Sequence, residues 1–96
     1  MTPAQQDYEF WMNMAIMVEA AETMPDWDND TECYGLCTMV EMACRLDYIQ
    51  PEQSYRLEEQ IKLLEPACHS TFYYWKVGAW RPRVRAMKKL AKLALE

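Results

Sequence analysis

Five prolines, at positions 3, 25, 51, 66 and 82, cut this chain into pieces of helical length. Proline lacks the backbone donor a helix interior needs and disfavours helical geometry in the residue before it, so it collects at helix ends. The stretch "TPAQQ" opens the first helix: Thr2 as N-cap, Pro3 in the first turn, and Gln5 closing a capping box. Tyr8, Trp11, Met14, Ala15, Val18 and Ala21 then recur at helical spacing, Phe10, Met17 and Met24 widen that face, and Met24-Pro25 ends it. "PDWDNDTE" reads as a loop leading to a second helix capped by Asn29, Asp30 or Thr31, which buries Leu36, Val40 and Cys44 and runs to about Asp47. Pro51 opens a third helix behind Gln50 as cap, with Leu57, Ile61 and Leu64 inward, and Glu65-Pro66 stops it. "ACHSTFYYWKVGAW" has no helical period and reads as an ordered aromatic connector. Pro82 then starts a fourth helix, with Val84, Met87, Leu90, Ala91 and Ala94 on one side and Arg85, Lys88, Lys89 and Lys92 filling much of the rest.

With only two glycines and few β-branched residues, nothing competes with helix. The expected fold is all-α: a compact four-helix domain spanning 1–96, with helices over 3–24, 31–47, 51–65 and 82–95. The expected core holds Trp11, Val18, Leu36, Val40, Cys44, Leu57, Ile61, Leu64, Trp75, Val84 and Met87. The 51% apolar content suffices for one core and argues against intrinsic disorder. A compact chain of this length has a radius of gyration of roughly 12–13 Å.

Cys33, Cys37 and Cys44 fall within about 40° of one another on a helix, one stripe with Val40. They read as reduced core thiols rather than a disulfide framework. A metal site is the alternative, but the sequence holds no CxxC pair, and its lone His69 stands beside Cys68. No metal and no cofactor are expected. The apolar runs fall short of the roughly 18–20 residues of a membrane span, and the N-terminus does not read as a signal peptide, so the cytoplasm is the expected compartment. The sequon at Asn29, Asp30 and Thr31 is then idle.

Charge divides sharply along the chain. Residues 1–65 carry fourteen acids against three bases, a net −11, whereas residues 66–96 carry seven bases against Glu96, a net +6. Asp26, Asp28, Asp30 and Glu32 suggest a calcium loop, but the sixth and twelfth places hold Thr31 and Cys37 where glycine and glutamate are required. What remains is a solvated, helix-capping acidic loop or an electronegative docking surface with Trp27 inside it. Catalysis lacks a constellation: His69 and Cys68 are neighbours that an extended segment points to opposite sides, and the sequence shows no P-loop, dinucleotide or zinc-protease motif. A non-enzymatic protein is expected.

The basic end offers two further readings. Phe72, Tyr73, Tyr74, Trp75 and Trp80 beside Arg81, Arg83 and Arg85 suit stacking on single-stranded nucleic acid, or else the aromatics close a small core. Net −11 elsewhere repels a phosphate backbone. The last helix also has the pattern of a membrane-surface helix but no large aromatic anchor after Trp80. Docking across the acidic helices is the simpler expectation, leaving the arginines spare.

Two stretches, "YGLCTMVEMACRL" and "YYWKVGAWRPRVRAMKKLAKL", resemble a group of small tailed-phage proteins. These carry Gly-[Leu/Ile]-Cys opening a central helix and an aromatic-Trp-x-x-Gly-x-x-x-Pro-Arg segment before a final helix. The matching residues are Gly35, Leu36 and Cys37, then Tyr74, Trp75, Gly78, Pro82 and Arg83, covering the last two-thirds of the chain in outline. The long acidic N-terminal helix and the more basic final helix depart from that pattern. The resemblance implies a phage origin and action in the host cytoplasm, and brings no established activity. Phages use many small acidic proteins to disable host machinery, including restriction and CRISPR complexes. The expected function is therefore inhibition of a host protein or nucleoprotein complex through Asp26, Trp27, Asp28, Asp30 and Glu32. The alternative is a nucleic-acid-binding regulator acting through Trp80, Arg81, Arg83 and Arg85. No membrane partner is expected, and homo-oligomerisation stays open.

Overall fold

The computed structural model describes residues 1–22, 35–64 and 80–96. Among these are four helices and no strand: α1 (Pro3–Ala21), α2 (Gly35–Arg45), α3 (Pro51–Leu63) and α4 (Trp80–Ala94). The chain is all-α, with a radius of gyration of 12.2 Å. The predicted caps of the second helix, the aromatic connector, Trp75, Cys33, Cys68 and His69 lie outside the described residues.

α1 begins as its sequence dictates. Gln5 N–H donates to Thr2 Oγ1 at 3.2 Å, and Thr2 N–H donates to Gln5 Oε1 at 3.1 Å, which satisfies two orphan donors of the first turn. Its end differs from expectation. The helix stops at Ala21, before Met24-Pro25, because Glu22 enters the left-handed region at φ 54° and its N–H returns to the Glu19 carbonyl at 3.3 Å. α4 departs in the opposite sense and starts at Trp80, with Pro82 its third residue. Proline is tolerated there because amides of the first turn have no intrahelical acceptor to lose. At α3, Gln50 holds the N-cap position through its backbone, and its side chain makes no capping hydrogen bond.

α2 was expected to reach Asp47 and ends at Arg45 in a Schellman motif. Tyr48 N–H donates to the Ala43 carbonyl at 2.9 Å, Asp47 N–H to the Cys44 carbonyl at 3.1 Å, and Asp47 takes φ 62°. This turn reverses the chain within five residues and delivers it to Pro51. Left-handed geometry suits glycine best and β-branched residues worst. Asp47→Gly should therefore stabilise the protein by about 0.5–1 kcal/mol and Asp47→Val should destabilise it by about 1–2 kcal/mol, read from urea midpoints at constant m-value.

α1 packs chiefly on α4, α2 packs on α3, and α3 also touches α1 and α4. α1 and α2 are not closely packed on each other. The buried core joins Trp11, Ala15 and Val18 of α1, Leu36, Met39, Val40 and Ala43 of α2, Leu57 and Ile61 of α3, and Val84, Met87, Leu90 and Ala91 of α4. Of the expected core, Cys44 and Leu64 are only half-buried, packed on its edge. Cys37 is half-buried too, so the two described cysteines lie at the edge of the core, while Val40 of the same stripe is inside it.

Candidate functional site

Asp26, Trp27, Asp28, Asp30 and Glu32 lie outside the described residues. The basic candidates are described in part. Trp80 is the first residue of α4, and Arg81 and Arg85 are exposed one turn apart. Arg83 is only 3% exposed and does not share their face. A helix turns about 100° per residue, so the middle member of an R-x-R-x-R run points away from the outer two. This removes Arg83 from the phosphate-facing group the sequence suggested. The spacing held that signal already.

The exposed side of α4 is nonetheless basic. Arg81, Arg85, Lys88, Lys89 and Lys92 are all exposed and fall within an arc of about 100°. Val84, Met87, Leu90 and Ala91 occupy the opposite side and are buried. α4 thus docks on α1 by its apolar side, as expected, while Arg81, Arg85 and the three lysines face outward and Arg83 does not. Lys88 Nζ reaches Glu19 Oε2 at 3.0 Å, an exposed pair contributing at most about 1 kcal/mol.

Between α1 and α3 lies a polar cluster that periodicity did not reveal. Asp7 is 2% exposed, and Arg56 grips it with two parallel bonds, Nε to Oδ2 and Nη2 to Oδ1, both 3.0 Å. Gln60 Nε2 donates to Asp7 Oδ2 at 2.9 Å and accepts from Trp11 Nε1 at 2.8 Å on its Oε1. Asp7 and Trp11 are one turn apart on α1 and Arg56 and Gln60 one turn apart on α3, so the four side chains link two turns of each helix. The hydrogen bond with Asp7 raises the Arg56 pKa above its ordinary value; burial opposes this, and the charges of Asp7 and Glu52 add to it. A base with a raised folded pKa contributes stability that is complete below its unfolded pKa and lost only above it. Arg56 therefore imposes no pH dependence near neutrality.

The gap between α1 and α2 forms an apolar groove of about 370 Å³. Phe10, Asn13, Met14 and Met17 form one wall, and Ala43, Leu46, Tyr48 and Ile49 form the other. The Schellman turn builds that second wall, because Ala43 and Tyr48 are the two residues its longer hydrogen bond joins. Phe10 is held by an edge-on contact with Trp11, ring centres 5.0 Å apart. Met17 remains 63% exposed and Tyr48 77% exposed, surfaces a core would have covered. At Tyr48 and Ile49 the groove meets a polar pocket of about 250 Å³ lined also by Gln6, Gln50, Glu52, Gln53 and Arg56. Phe10 and Met17, expected on the inner face of the helix, line the groove instead. The exposed run Leu46-Asp47-Tyr48 just before Pro51 was the available signal.

No group of three or more His, Cys, Asp or Glu residues among the described residues is arranged to hold a metal ion. No helix among them is long and apolar enough to cross a membrane. Searches of protein-family models, curated proteins and solved structures found no match to this chain.

Proposed function

We propose that this chain is a small, non-enzymatic phage-type interaction protein that binds and blocks a host protein or nucleoprotein complex of the anti-restriction or anti-CRISPR kind. The observation that supports this reading is the open apolar groove of about 370 Å³ within the acidic two-thirds of the chain. Apolar anchors set among like charges suit a desolvated contact steered by electrostatic attraction to a basic partner. Asp26, Trp27, Asp28, Asp30 and Glu32 extend the same chemistry: an aromatic among carboxylates fits the basic channel of a nucleic-acid enzyme.

The second reading, a nucleic-acid-binding regulator, is favoured by one observation, the exposed basic arc of α4 from Arg81 to Lys92. The two readings carry opposite mutational signatures. Tagged protein is used to capture a complex from bacterial host lysate at graded salt. Asp26, Asp28 and Asp30 changed together to Asn should weaken capture about tenfold and flatten its salt dependence, while Arg81 and Arg85 changed to Gln should leave it intact. Capture lost with the arginines, with nucleic acid in the eluate, would establish the second reading instead.

A further inference from the structure

We infer that the groove between α1 and α2 is the seat of a basic amphipathic helix supplied by a protein partner. This rests on the reading of the chain as a protein-binding module, and it adds the secondary structure and the charge of what binds.

The walls point to a helix. Phe10, Met14 and Met17 stand at i, i+4 and i+7 on α1, a helical ridge that faces Ala43 and the turn after α2 across a furrow of the kind an added helix fills. An extended peptide would fare worse. It would bring unpaired amides and carbonyls against apolar walls, and α1 has already used its own backbone groups within its helix. A helix satisfies its backbone internally and offers only side chains. Two of the wall residues, Met14 and Met17, are methionines, whose flexible side chains adapt to differently shaped anchors.

The charge follows from the surroundings. Glu9 is exposed one turn before the groove-lining Asn13 on α1, and Asp47 stands exposed between Leu46 and Tyr48. Glu52 lines the adjoining polar pocket. Arg56 also lines it, but its guanidinium is engaged in two bonds to buried Asp7, which leaves the Glu52 carboxylate to set the sign there. The ion pairs seen among the described residues do not use Glu9, Asp47 or Glu52. A partner with leucine-like anchors on one face and Lys or Arg along its flanks meets both features. The chain's own α4 has that composition, but its apolar side is already buried in the core.

The test uses the full chain and a labelled synthetic peptide of roughly 18 residues, about 27 Å as a helix, enough to cross the 26 Å width of the molecule. Its leucines recur at helical spacing and its other positions are Lys and Arg. Fluorescence anisotropy should show low-micromolar binding, at least about 100-fold weaker for the counterpart with Glu in place of Lys and Arg, and at least about tenfold weaker for a scrambled order. Met17→Ser with Leu46→Ser, both at exposed positions, should weaken binding about tenfold with helix content unchanged by circular dichroism. Glu52→Gln should reduce the salt dependence. Equal binding of the scrambled peptide, or full affinity in the double serine variant, would overturn the inference. So would a concentration-dependent dimer abolished by the serine changes, because a second copy would then own the groove. Peptide binding without capture of any host complex would sink the proposed function and leave this inference standing. Capture without peptide binding would do the reverse.

Discussion

Replacing Arg56 by alanine should cost about 3–5 kcal/mol, a loss comparable with the whole stability of many domains this size. The reason is the partner left behind. Asp7 is 2% exposed, so without the guanidinium its charge is stranded in the interior with Gln60 as its remaining donor. The reverse truncation, Asp7→Ala, should cost less, because the Arg56 side chain is 35% exposed and water can solvate it. Removing both charges together, as Asp7→Leu with Arg56→Leu, should recover most of the loss, because well-packed apolar residues often replace a buried ion pair at no cost. Gln60 is half-buried and finds water in that variant. Urea titration of the three variants settles the order. Equal losses for the two alanine variants, or no recovery in the double leucine variant, would show that this pair is not a buried charge held by its partner. At about 4–8 °C per kcal/mol, the Arg56→Ala variant should melt at least ~12 °C lower.

Trp11→Ala should be comparably severe, about 3–5 kcal/mol, because the largest fully buried side chain among the described residues is removed from the core. Trp11→Phe should cost less, about 1–2 kcal/mol, because the ring volume is partly kept while the Nε1 donor to Gln60 is lost. The alanine change should also release Phe10, whose ring rests edge-on against the indole, and so deform the groove wall. A measurable readout is the anisotropy assay above: peptide affinity should fall with Trp11→Ala even under conditions where the variant stays folded. If the alanine and phenylalanine variants were equally stable, the indole would not be the packing centre its burial indicates.

The helices were legible because their causes are short-range. Thr2 and Gln5 satisfy each other's amides across three residues, and Pro3 and Pro51 open helices wherever they stand in a first turn. The core was legible for the same reason: Trp11, Val18, Leu36, Val40, Leu57, Ile61, Val84 and Met87 were expected inward and are inward. The ends were less so. Glu22 and Asp47 take left-handed geometry, which no side-chain preference of Glu announces and which Asp favours without fixing where it occurs. The inward turn of Arg83 followed from helical spacing alone, but needed the decision that its arginines lie on a helix and not an extended strand.

The candidate sites divide along the same line. The basic arc of α4 is a property of one helix and was visible in composition and period. The groove needs α1 and the end of α2 to stand apart, and nothing within either segment says so. Phe10 and Met17 therefore looked like core. Asp7 is the clearest case: a carboxylate next to an apolar face reads as solvated until α3 arrives with Arg56, forty-nine positions later in the chain. Helix formation, capping and apolar sidedness rest on interactions within three or four residues, so one segment contains their whole cause. The pairing of Asp7, the burial of Trp11 against Gln60 and the opening of the groove depend on which helices become neighbours. That choice balances all the apolar surface at once, and only the assembled tertiary structure carries it.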